Sequence, residues 1–123
     1  MQAGMPFKLL AIQGVDVVEF THRSMENANR LEELGRHLHN LADRQGCRRI
    51  IIDFANVRFL ASSVLGVIVT LQQKLEYQNG KLALCGLRKE LRQVFKFAQL
   101  DTLLTFHETR DDALAAFDTP ETK

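Results

Sequence analysis

Three consecutive isoleucines, Ile50, Ile51 and Ile52 in the stretch RRIIIDF, constrain what this chain can fold into more than any other feature. Successive side chains of a strand point to opposite faces, so a strand that is apolar at every position is buried on both. It belongs in the middle of a sheet, with helices over at least one face and, by expectation, over both.

The flanking sequence supplies the helices. Leu31, Leu34, Leu38 and Leu41 recur at spacings of three and four between Ser24 and Gly46, with Glu26, Glu32, Glu33, Arg36 and Arg44 elsewhere, which predicts an amphipathic helix stopped by Gly46. Val64, Val67, Ile68, Leu71 and Leu75 predict a second helix that opens at Ser62 and ends at Asn79-Gly80. Residues 81–86 read as a short strand, and Leu87, Leu91, Val94, Phe95 and Ala98 mark a third helix beside the polar Arg88, Lys89, Arg92 and Lys96. Residues 103–106 read as a short last strand. Thr109 with Asp112 resembles a capping box, opening a brief final helix that carries Ala113, Leu114 and Phe117.

At the other end of the chain, Phe7, Leu9 and Ala11 alternate with Lys8 and Leu10, Gln13-Gly14 is a turn signal, and residues 15–20 are rich in β-formers. The chain therefore opens with a hairpin. The elements run ββαβαβα, completed by the last strand, the brief helix and a polar tail. The expected fold class is α/β: one domain over residues 1–123, with its core at about 7–117 and its tail at 118–123. Its mixed sheet has an N-terminal antiparallel hairpin and right-handed parallel βαβ crossovers, with about four helices around it.

Composition excludes several classes of function. The apolar content of 46% suits one ordinary core, and sixteen basic against fifteen acidic residues leave a net charge of +1, with no global field to attract nucleic acid or an anionic membrane. No stretch approaches the ~20 apolar residues of a membrane span, and the opening MQAGMPFK has no basic region followed by an apolar one. A cytoplasmic protein is expected. Cys47 and Cys85 lack metal-ligand spacing, which fits reduced thiols, with Cys85 as a small buried hydrophobe.

The chemistry-bearing residues are few. Ser62 and Ser63 open the second helix, but a hydrolase elbow needs glycines two residues either side of its serine, and Leu60, Val64, Ala61 and Leu65 stand there instead. No glycine-rich phosphate loop is present, so no nucleotide or other cofactor is expected. His37 and His39 point to different faces of the first helix, and neither His22 nor His107 has partners at metal-ligand spacing, so no metal is expected. Asp53, at the end of the isoleucine strand, reads as a brace for the following loop. Ser62 or Ser63 is expected to cap its helix, contributing roughly 1 kcal/mol. A helix N-terminus is also where a phosphate group is least costly.

These residues resemble a known family. The strand IIIDFANVRFL, the double serine opening SSVLGVIVTLQQKLEYQNGKLALCGL, and the later VFKFAQLDTLLTFHETRDDALAAF together resemble a STAS domain of the anti-sigma factor antagonist family. Its members usually carry Asp-Ser-Ser/Thr-Gly-Leu-Gly, whose first serine is phosphorylated by an anti-sigma factor kinase. Here the segment reads Ala61-Ser62-Ser63-Val64-Leu65-Gly66, so Ser62 matches the phosphorylated position and Ser63 the next hydroxyl, while Ala61 and Val64 replace the aspartate and first glycine.

The resemblance implies a non-catalytic, cytoplasmic protein-binding module of bacterial signalling. It would bind an anti-sigma factor that is also a serine kinase, in a partner-switching system regulating transcription. Phosphorylation is expected at Ser62 ahead of Ser63, and partner binding at Asn56, Arg58, Ala61, Ser62, Ser63, Val64 and Leu65. The Arg88, Arg92 and Lys96 stripe reads as a solvated helix face. The alternative the resemblance leaves open is an accessory subunit of a stressosome-like assembly or of a membrane lipid or anion transport complex.

Overall fold

The computed structural model describes residues 7–21, 24–25, 31–43 and 46–118. His22, Glu26, Arg44 and most of the polar tail lie outside them. Strands β1 (Phe7–Ile12) and β2 (Val15–Phe20) form the expected hairpin, and Gln13 and Gly14 at its turn both take positive φ, 55° and 79°. Such turns match the right-handed strand twist, and glycine reaches that conformation without steric cost.

β3 (Ser24–Met25) precedes α1 (Leu31–Asp43), β4 (Arg49–Asp53) carries the isoleucines, and β5 (Phe59–Leu60) precedes α2 (Ser62–Tyr77). β6 (Lys81–Cys85), α3 (Lys89–Phe97), β7 (Thr105–His107) and α4 (Arg110–Asp118) follow. The main sheet runs β1-β2-β4-β6-β7, with every pair parallel except the hairpin. The isoleucine strand is thus the central one of five, as its two apolar faces require.

Alternation divides the core in two. Val18, Phe20, Ile50, Ile52, Leu82 and Leu84 face the helices α1, α2 and α3, while Val15, Val17, Ile51, Ala83 and Cys85 face α4 through Ala113 and Leu114. All three isoleucines are fully buried, each stabilising the fold by roughly 1.5–3 kcal/mol relative to exposure. The Thr109 hydroxyl accepts a hydrogen bond from Asp112 N at 3.0 Å, as the capping pattern predicts.

Three expectations are corrected. The helix expected between Ser24 and Gly46 covers only Leu31–Asp43, and Ser24 sits in β3, which pairs in parallel with β5 as a separate two-stranded sheet. A pair of two-residue strands has too few positions for a period to show. The last strand covers 105–107 instead of 103–106, because Leu103 and Leu104 lie in a turn hydrogen-bonded to Leu100 O. In α2 the inward set contains Leu65, while Val67 lies half-buried on the flank facing Gly35 of α1.

Candidate partner-binding site

The loop between β4 and α2 is held by four fixed points. Phe54 is fully buried, in edge-to-face contact with Phe20 at 5.2 Å and Phe95 at 6.2 Å between ring centroids, and Val57 is fully buried behind it. Ala55 N donates to Asp53 Oδ1 at 2.9 Å, and the Asn56 side-chain amide donates to Phe20 O at 3.3 Å. With the inner side pinned, Arg58 and Phe59 turn outward, and Phe59 is 58% exposed.

The chain then enters α2 with Ala61 at the N-cap position, extended at φ −72° and ψ 145°, and with no side-chain cap. This corrects the expectation for the serines. Ser62 and Ser63 are the first two helical residues, where a hydroxyl does not reach the second or third N–H as a cap does. Both are exposed, and neither hydroxyl has a partner among the described residues. The first turn of α2 holds no acidic residue, so its outward N–H groups and positive dipole end are not neutralised locally.

The expected binding residues separate into two sets. Asn56, Arg58, Ser62 and Ser63 are exposed and Ala61 is partly so, along the loop and helix start. Val64 and Leu65 are 4% and 5% exposed and pack in the core against the sheet, so their side chains are not on that surface. The helical turn that points Ser62 outward carries them inward. Gly66 lies on the outward side, and a Cβ built there meets nothing within 4 Å.

Beneath the loop is an ion cluster that sequence spacing does not show. Arg110 opens α4 and approaches Asp53 Oδ2 through Nε at 3.0 Å and Nη2 at 2.9 Å, while Nη2 also lies 3.5 Å from Glu19 Oε2. Glu19 and Asp53 are paired across β2 and β4, so the arginine separates two neighbouring carboxylates. Asp53 is thus the brace its position suggested, with one oxygen on the loop and the other on α4. The readable signal was a carboxylate at the end of a buried strand; its partner lies 57 residues away.

Cys47 and Cys85 are both buried and unpaired. Burial pushes the Cys85 thiol up to about 12, with the Asp53 charge adding to it, and burial together with a hydrogen bond to Asp16 pushes Cys47 up to about 11. No helix among the described residues is long and apolar enough to cross a membrane.

The model of the STAS domain matches residues 14–113. The chain belongs to the STAS domain family. Among curated proteins, this STAS domain is 29% identical over 93 residues to a protein described as an anti-sigma factor antagonist, BtrV of Bordetella bronchiseptica, a match covering 76% of this chain and 79% of that one. Among solved structures, a protein of Thermotoga maritima described as an anti-sigma factor antagonist superimposes with a TM-score of 0.82 at 18% identity, covering 97% of this chain and all of the other. The Bacillus cell fate determinant SpoIIAA in its phosphorylated form gives a TM-score of 0.70 at 20% identity, covering 90% of this STAS domain and 98% of SpoIIAA. At these identities the two structures establish the shared fold.

Proposed function

We propose that this STAS domain is a non-catalytic anti-sigma factor antagonist that binds an anti-sigma factor kinase through the surface from Asn56 to Ser63, and that Ser62 is the residue the kinase phosphorylates. The observation that carries this reading is the geometry of Ser62: an unpartnered hydroxyl on the first residue of an uncapped helix, beside an outward-facing loop on a rigid support. The N–H groups and dipole tolerate a phosphate, so modification leaves the fold intact. A dianion with three acceptor oxygens in a packed interface is enough to dismiss a partner. The family and the description of BtrV support the choice of partner.

The test is to incubate the protein with its anti-sigma factor kinase and ATP and to map phosphate by mass spectrometry. Stoichiometric phosphate at Ser62, absent from Ser62→Ala, is the expected result. Binding without phosphate at either serine would remove the switch and leave a module fixed in its binding state.

A further inference from the structure

A second feature borders this surface. A groove of about 390 Å³ runs between β5 and α3, lined by Arg58, Phe59 and Leu60 on one side and Arg88, Glu90, Leu91 and Val94 on the other. Its volume is at the small end of ligand-sized pockets, with room for an anchoring side chain but little more. Phe59 stands 58% exposed at its lip, while Leu60, Leu91 and Val94 give it an apolar floor. Exposed aromatic and arginine side chains around a small apolar recess are the composition of an interface hot spot.

The charged residues that line the groove are Arg58, Arg88 and Glu90, two cations against one carboxylate. Arg92 is committed, its guanidinium 4.5 Å from the centre of the Phe106 ring. Arg58 and Arg88 have no ion-pair partner among the described residues and stand on opposite walls. Of Arg88, Arg92 and Lys96, which the sequence reads as a solvated face, Arg88 lines the apolar recess.

Resting on the reading of this face as a docking surface, we infer that the groove receives an acidic segment of the anti-sigma partner, with one large apolar side chain seated on Leu91 and Val94 and flanking carboxylates paired with Arg58 and Arg88. Continuity carries the location, since β5 leads through Ala61 directly to Ser62. Charge complementarity carries the chemistry of the occupant, because guanidinium–carboxylate pairs are strong and directional. The apolar floor favours a side chain of a protein segment over a nucleic-acid backbone, whose phosphates would find no partner there.

The experiment is a titration of the isotope-labelled protein, followed by amide NMR, with a short capped peptide of glutamates flanking a central Leu-Phe pair, and with its lysine-flanked counterpart. The acidic peptide is expected to shift the signals of residues 58–60 and 88–94, and Arg58→Ser with Arg88→Ser is expected to weaken it about tenfold at unchanged melting temperature. Equal binding of the lysine-flanked peptide, shifts confined to another face, or the same signals moved by duplex DNA would overturn the proposal. Unmoved signals alongside Ser62-dependent binding of the whole partner would overturn the groove assignment alone. Groove-specific shifts support it even where Ser62→Glu leaves partner binding unchanged.

Discussion

Gly86 and Asp53 are in such close approach that a Cβ on the glycine would lie 2.8 Å from Asp53 Oδ1. Gly86 also takes φ +73°, a conformation that side-chain-bearing residues adopt at a cost of roughly 1–2 kcal/mol. The carboxylate that braces the loop before α2 therefore fits only because the turn after β6 carries no side chain. Gly86→Ala is expected to destabilise the protein by about 2–3 kcal/mol, combining backbone strain with displacement of the carboxylate. Urea denaturation followed by circular dichroism measures it; a loss below about 0.5 kcal/mol would contradict the close fit.

Arg110 holds the same carboxylate from the other side. Asp53 is 7% exposed in its side chain, so Arg110→Met leaves a nearly buried charge with one remaining hydrogen bond, from Ala55 N. The expected loss is on the order of 2 kcal/mol, less than for a fully buried pair because Arg110 is itself 28% exposed. The additional Asp53→Asn change removes the unpaired charge and should recover part of that loss, which a double-mutant cycle in denaturant would show.

The start of α2 lacks a cap, so adding one should stabilise. Ala61→Asp places a carboxylate at the N-cap position of a helix whose first turn has no acid, and a gain of about 1 kcal/mol is expected. Ser62→Ala, at the first helical position, should change stability by less than about 0.5 kcal/mol. The two melting curves, moving by different amounts, check which residue is the cap.

How much of this was readable in the sequence follows from the range of each signal. The isoleucine run placed β4 at the sheet centre because an apolar residue at every position has one structural solution, and Thr109 with Asp112 marked α4 because a cap is local. The Asp53–Arg110 contact was invisible because its partners are joined only by the packing of α4 on the sheet. The N-cap preference of serine points to Ser62 or Ser63, whereas the extended backbone that the loop imposes on Ala61 puts the cap position one residue earlier. Motif proximity suggests a surface place for Val64 and Leu65, whereas helical phase buries them behind Ser62.

The thiols give a further check. With burial raising Cys47 to about 11 and Cys85 to about 12, almost no thiolate exists at pH 8 in the native state. Both should resist a disulfide reagent at that pH until the protein is unfolded, then react together. Rapid labelling of either in native protein would contradict the buried placement.

Gly66 is solvent-facing in α2, and a Cβ there meets nothing, so Gly66→Ala should raise stability by about 0.5–1 kcal/mol. Because it lies one helical turn from Ser62, the same methyl should weaken partner binding if the partner's backbone approaches the helix closely. Calorimetric titration of the variant against parent protein separates the two effects.

The most direct test of the account is the affinity of Ser62→Glu for the anti-sigma factor, measured by calorimetry beside the parent protein and Ser62→Ala. A negative charge suits a helix N-terminus but not a packed interface, so the account predicts an unchanged melting temperature for Ser62→Glu, binding weakened by about tenfold or more, and near-parental binding for Ser62→Ala. Parental affinity in Ser62→Glu would contradict it.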